Sequence, residues 1–223
     1  MYAIVTDSTA YLTRSQAELM GVQVLPMSYI VGNLSLSEGL LDENGRFCEL
    51  LAQNPRDAHT AQVSMSAFLS AFNELLRRDI DILCVTISSR LSGTFGNALI
   101  AAKEMHTDRV AVVDSLSTAA GLRLLVEKAS RLSRANVPLA EAVEQIEAMR
   151  ADIGIALSVD DMEALRRSGR LGFVRQSVGT VLNIRPILHC LNGTVVSAGT
   201  TRGVSGQIRE LIRSVPKDAK HVE

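Results

Sequence analysis

The run Ser88-Ser89-Arg90-Leu91-Ser92-Gly93-Thr94 gathers hydroxyls and a glycine between an apolar, β-branched stretch (Ile80 to Ile87) and a helical pattern starting near Phe95. The first amides of a helix have no internal partner and the helix dipole is positive there, so a strand opening into such a loop can hold an anion. Gly93 would let a ligand approach the backbone closely. No lysine follows the glycine, so a nucleotide phosphate loop is not expected. The chemistry indicated is recognition of a small anion by neutral donors. The rival chemistry is a serine-dependent hydrolase or acyltransferase using Ser92, which would need a histidine and an acid assembled by the fold. No serine elbow of the Gly-x-Ser-x-Gly type occurs. A sugar- or nucleotide-phosphate binder is a further alternative, for which the loop offers only Arg90 as a charge.

Two other hydroxyl-bearing segments follow strand patterns: Asp7-Ser8-Thr9 and Asp114-Ser115-Leu116-Ser117-Thr118. In a parallel sheet such loops converge beyond the carboxyl ends of the strands, where ligands bind. That makes Ser8, Ser89, Thr94 and Ser115 candidate pocket residues beside Ser92 and Gly93. For Asp114 to Thr118 the favoured reading is plain helix capping. Thr60 and Gln62 lie in a polar segment ahead of a helix and can donate to the same anion, although alone they read as an ordinary capped loop. Arg170 and Arg202 each adjoin a glycine. A guanidinium there can meet a phosphate or an acidic partner through its planar fork, or simply be solvated. The histidines 59, 106, 189 and 221 have no metal-ligand spacing, so no metal is expected.

The elements that must position these residues alternate strand with helix. Strands are expected at Tyr2 to Val5, Val22 to Pro26, Ile80 to Ile87 and Val110 to Val113, and a hairpin around Gly32-Asn33. Thr13 with Gln16 forms a capping box for a helix through Met20. Further helices are expected with Asp42 as a cap, from Ser66, from about Phe95 through Met105, along Leu122 to Leu132, and from Pro138 through Ala151. Gln53 to His59 reads as a loop. Repeated strand–helix alternation implies a parallel sheet with right-handed crossovers. The pattern changes near Asp152, followed by a strand at Ile153 to Val159 and a short helix at Met162 to Ser168 stopped by Gly169. A helix through Val181 and a hairpin on Asn192-Gly193 come next, with a last helix from Val204 to Val215. The expected architecture is α/β in two lobes. Residues 1–151 carry a mainly parallel sheet flanked by helices, and residues 152–223 form a mixed, incomplete second domain.

With 223 residues and 47% hydrophobic content, the chain can bury a substantial core. A formal net charge of −1 argues against nucleic-acid binding, and no apolar run is long enough for an integral membrane segment. Aromatics make up 4%, so a greasy pocket would be lined by aliphatic side chains. The scattered cysteines 48, 84 and 190 fit reduced thiols in a cytoplasmic protein.

Ordered motifs along nearly the whole chain resemble the DegV family of bacterial fatty-acid-binding proteins, which includes the FakB-type binding subunits of fatty acid kinase. They are Ile4-Val5-Thr6-Asp7-Ser8-Thr9-Ala10, Thr60-Ala61-Gln62-Val63-Ser64, Ile87 to Phe95, Val113-Asp114-Ser115 with Gly121-Leu122, Leu165 to Leu171, Leu182 to Leu188, and Arg202-Gly203. Ala61 and Val63 stand where the family usually has Ser and Pro. The resemblance implies the family's EDD fold and one long-chain fatty acid held between two α/β domains, with its tail in an aliphatic tunnel. Thr60, Ser92 and the Gly93 backbone would hold the carboxylate, and Arg170 and Arg202 would lie at the mouth. There a separate ATP-dependent kinase would phosphorylate the presented acid to an acyl-phosphate, this chain being noncatalytic and needing no cofactor beyond its bound acid. The family usually continues into a Gly-rich loop bearing a His-x-Gly-Pro-Gly pattern. This sequence stops at Lys220-His221-Val222-Glu223, so a C-terminal truncation relative to the family is expected.

Overall fold

Ala3-Ile4-Val5-Thr6-Asp7, short and β-branched, forms strand β1 (Ala3–Asp7), which lies inside a sheet and is buried along nearly its whole length. A computed structural model describes residues 1–53, 58–160, 162–170 and 184–220. Helix α1 (Arg14–Met20) begins on the expected capping box, with Thr13 accepting from the Gln16 amide and Gln16 from the Thr13 amide, and it ends on left-handed Gly21. Strand β2 (Val22–Leu25) follows and pairs with β1 in parallel.

The hairpin β3 (Ser28–Val31) and β4 (Leu34–Ser37) turns at Gly32-Asn33, Val31 facing Leu34 across it. Helix α2 (Gly45–Gln53) starts later than expected. Asp42 does not cap it: residues 41–43 form a separate 3-10 turn, and the Asp42 carboxylate accepts the Arg14 amide at 3.2 Å. The segment read as a loop contains strand β5 (Ala58–Ala61), paired antiparallel with β3. Ala58-His59-Thr60-Ala61 carries no β-branched apolar pattern of its own; the pairing with β3, not local propensity, makes it a strand. Helix α3 (Met65–Arg77) is capped by Ser64 rather than opened at Ser66, the Ser64 hydroxyl accepting the Ala67 amide at 3.2 Å.

Strand β6 (Ile82–Thr86), helix α4 (Thr94–Glu104), strand β7 (Val110–Asp114), helix α5 (Ala119–Arg134) and helix α6 (Leu139–Met149) complete the first unit. The parallel sheet runs β2-β1-β6-β7, and a small antiparallel sheet runs β4-β3-β5. Alternating side chains of the parallel sheet feed two cores. Ile4, Leu83, Val85 and Val113 join Leu122, Leu125, Val126 and Ala129 of α5. Val5, Ile82 and Cys84 join Phe68 and Phe72 of α3 and Ala98, Ala101 and Ala102 of α4. Helices on both faces bury the two central strands, β1 and β6, nearly completely, which is why these read as continuous apolar runs, while the edge strands β2 and β7 are only partly buried.

The chain divides after Ile153 into two compact units. The second contains strand β8 (Ile155–Ser158), helix α7 (Glu163–Ser168), strands β9 (Ile184–Leu191) and β10 (Thr194–Arg202), and helix α8 (Gly203–Ser214). Its sheet is antiparallel, in the order β10-β9-β8. Asn192 and Gly193 both take positive φ (48° and 80°), as a two-residue hairpin turn requires. Strand β10 continues past an irregularity at Ser197/Gly199, which absorbs a register shift, and its pairing resumes to Arg202. The helix expected through Val181 lies outside the described residues.

Candidate functional site

Parallel pairing of β1, β6 and β7 brings the carboxyl ends Asp7, Thr86 and Asp114 side by side, as their loop positions imply. The two aspartates brace the loop after β6. Asp7 is fully buried, and its Oδ2 accepts the Ile87 amide at 2.7 Å while Oδ1 accepts the Thr9 amide at 3.0 Å and hydroxyl at 2.5 Å. Burial pushes the Asp7 carboxyl above the usual range; the hydrogen bonds from Thr9 and Ile87 oppose that, and the Glu38 charge adds to it. Asp114 Oδ1 accepts the Ser89 amide at 3.1 Å and the Leu116 amide at 3.0 Å. The Ser88 amide donates to the Ser117 carbonyl at 2.8 Å, and the amides of Leu91 and Ser92 return to the Ser88 carbonyl at 3.0 and 3.1 Å. The loop is thereby fixed before α4 begins.

At the start of α4, Gly93 is the residue preceding the helix and makes no side-chain cap. The Ser92 hydroxyl lies 2.9 Å from that of Thr94 and accepts the Thr94 amide at 3.3 Å. Asn97 closes the first intrahelical bond onto the Gly93 carbonyl at 3.0 Å, which leaves the Phe95 and Gly96 amides without an intrahelical partner. Ser92 is half-buried, Gly93 and Ser89 are exposed, and Thr94 is buried.

The polar segment after β5 lies against this loop. The Val63 amide donates to Thr94 Oγ1 at 3.3 Å, and Asn97 Nδ2 donates to the Val63 carbonyl at 2.8 Å. The Gln62 amide group rests on Gly93 so closely that a Cβ there would sit 2.7 Å from Gln62 Cδ and 2.8 Å from Nε2. The structure thus joins Gln62, Gly93, Ser92 and Thr94 in one patch, with exposed Thr60 two residues before Gln62 on β5. What approaches the Gly93 backbone here is a side chain of the protein itself. Gly93→Ala is accordingly expected to cost less than about 1 kcal/mol in urea unfolding, because its φ of −70° suits alanine and the Gln62 tip can swing away. The same substitution displaces Gln62, which a changed chemical shift of its side-chain amide would report.

Two candidates are committed elsewhere. The buried Ser8 hydroxyl donates to Glu38 and accepts the Met27 amide at 2.9 Å, so it ties β1 to the β2–β3 connection. The buried Ser115 hydroxyl donates to the Ser117 carbonyl at 3.1 Å and accepts its amide at 3.0 Å. The Asp114–Thr118 segment folds a local turn instead of capping, since Thr118 precedes α5 without a side-chain cap. Arg170 follows the left-handed Gly169 that ends α7, its amide donating to Ser168 Oγ at 3.3 Å, and Arg202 ends β10; both are exposed on the second unit.

Sequence reading missed Asn97, which ties the Val63 carbonyl to α4, and Glu38, which receives the Ser8 hydroxyl; both depend on partners distant in sequence. A signal for Glu38 existed in hindsight: it is an acid directly after an alternating strand. Among the described residues, no histidine or carboxylate is hydrogen-bonded to Ser92, no His/Cys/Asp/Glu group could hold a metal, and no helix is long and apolar enough to cross a membrane. A cleft of 680 Å³ in the first unit is lined by Ala17, Val22, Val24, Leu40, Leu75 and Arg78 among others, and includes neither Thr60 nor Ser92.

The DegV family model matches residues 1–223. A DegV domain-containing protein of Deinococcus radiodurans is 32% identical over 213 residues, spanning 96% of this chain and 75% of that relative. Among solved structures, a fatty-acid-binding DegV family protein from Thermus thermophilus is 29% identical with a TM-score of 0.83, covering 96% of this chain and 76% of its own. A DegV lipid-binding protein from Thermotoga maritima is 27% identical with a TM-score of 0.87, covering 99% and 78%. The ordered motifs, the α/β architecture and the whole-length match agree: this chain belongs to the DegV family.

Proposed function

We propose that this chain binds one long-chain fatty acid, with the carboxylate received by Thr60, Ser92 and the Gly93 backbone and the tail buried among aliphatic side chains. The observation that carries this reading is the junction of the Thr60–Ser64 segment with the Ser92–Asn97 helix start through Val63, Thr94 and Asn97. It gathers neutral hydroxyl and amide donors beside a helix N-terminus, a set suited to a carboxylate. Solved relatives described as fatty-acid-binding support the ligand class.

The binding energy comes mainly from the tail. Each buried methylene contributes about 0.8 kcal/mol, so about fifteen of them outweigh association and ordering costs. The carboxylate contacts then set orientation. We further propose that the chain is a noncatalytic, cytoplasmic presenting subunit: a separate ATP-dependent kinase phosphorylates the bound acid to an acyl-phosphate, and Arg170 and Arg202 meet that partner or the phosphate. A carboxylate held by neutral donors keeps its nucleophilicity, which a strong ion pair would blunt. The Ser92 hydrolase reading lacks a base at the hydroxyl among the described residues.

The test is equilibrium binding of saturated fatty acids of increasing length, paired with the matching methyl esters. Affinity is expected to rise about fourfold per added methylene until the tail is fully housed, from the value per methylene above. The methyl esters are expected to bind more weakly and to remain uncleaved. Length-independent affinity, or ester hydrolysis lost in Ser92→Ala, would overturn the reading.

A further inference from the structure

Glu38, directly after β4, is 4% exposed, and among the described residues no cation pairs with it. A buried carboxylate is costly unless hydrogen bonds satisfy it. Glu38 meets that need with two hydroxyls: Ser8 Oγ donates to one oxygen and Tyr29 Oη to the other. Its own amide donates to the Met27 carbonyl at 2.7 Å, so its backbone is fixed too. The Tyr29 ring is clamped a second time, stacked on Phe47 of α2 with centroids 3.6 Å apart and planes 16° from parallel. Burial and the Glu38 hydrogen bond both push the Tyr29 phenol upward, which keeps it a donor.

Tyr29 stands directly opposite Thr60 in the β3·β5 ladder. Opposed residues of an antiparallel pair share a face, with Cβ atoms about 4.5–5.5 Å apart. Strand β5 is an edge strand of four residues that pairs only with β3 among the described residues, so β3 decides where Thr60 sits. We infer that Glu38 is a positioning residue for the carboxylate site: it anchors Tyr29, and the anchored Tyr29 sets the place of Thr60 relative to Ser92. This rests on the fatty-acid reading above.

The experiment is a double-mutant cycle by isothermal titration of palmitate into the full chain, using Tyr29→Phe with Thr60→Val and Glu38→Gln with Thr60→Val. Tyr29→Phe keeps the ring that stacks on Phe47 and removes only the hydroxyl, so it remains informative if Glu38→Gln does not fold. Each single variant is expected to weaken binding about three- to tenfold, as loss of one hydrogen bond does. Each double variant is expected to bind no worse than its weaker single, because a displaced Thr60 has little left to lose. A role in stability alone would leave the cycles additive, and additive cycles or unchanged affinity in folded Tyr29→Phe would overturn the inference. Amide hydrogen exchange without ligand separates the two claims: Tyr29→Phe should speed exchange across Ala58–Val63 and leave α5 protected. If wild type binds no palmitate while that local change occurs, the fatty-acid reading fails; if wild type binds and the change is absent, the Glu38 assignment fails.

Discussion

Ser92→Ala is expected to weaken fatty-acid binding by about ten- to a hundredfold while leaving the melting temperature nearly unchanged. The hydroxyl is half-buried at the start of α4, and among the described residues its hydrogen bonds are with the neighbouring Thr94 amide and hydroxyl. Folding therefore depends on it little. A hydrogen bond to a charged group is worth about 1.5–3 kcal/mol, which corresponds to that range of affinity. Methyl esters, which lack the charge, should lose much less on the same substitution. Titration calorimetry of acid and ester against both proteins checks this. Equal losses for acid and ester would place the carboxylate somewhere other than Ser92.

Phe72→Ala is expected to remove about 3–5 kcal/mol of folding stability, the usual cost of deleting a buried phenylalanine. Phe72 is fully buried, 5.7 Å from Phe68 by ring centroids, within the core that α3 and α4 share with the parallel sheet. Whole domains are stable by only about 5–15 kcal/mol, so this is a large share. The functional consequence follows from position. Helix α3 begins just after the Thr60–Ser64 segment and α4 just after the Ser88–Gly93 loop. The core around Phe72 therefore holds the two arms of the site at their spacing, and palmitate affinity should fall together with stability. Urea unfolding should show a lower midpoint at unchanged slope. A loss below about 1 kcal/mol would mean that the two helices do not depend on this core.

Much of the fold was legible because local signals agreed with tertiary ones. The Thr13/Gln16 capping box, the buried stripe Leu122, Leu125, Val126 and Ala129, and the Asn192-Gly193 turn all stand where periodicity and turn chemistry put them. Strand β5 was not legible, because its strand character comes from β3 and not from its own polar residues. The site was legible as a set of donors but not as a set of free donors. Ser8 and Ser115 carry the same hydroxyl as Ser92, yet their partners, Glu38 and Ser117, lie across a turn or another strand. Gly93 reads as room for a ligand; in the structure the tip of Gln62 lies over it, so a carboxylate reaching the Gly93 backbone has to displace that tip. Sequence supplies chemical groups; the packing determines which of them remain free to meet a ligand.

The central claim is that the junction of Thr60–Ser64 with Ser92–Asn97 serves a fatty acid. Its most direct test is solvent extraction and mass spectrometry of freshly purified protein, followed by delipidation and uptake of added palmitate. The expected result is one fatty acid per chain in the extract and stoichiometric rebinding that falls sharply in Ser92→Ala. An extract without fatty acid, from folded protein that also takes up none when it is added, would contradict the account.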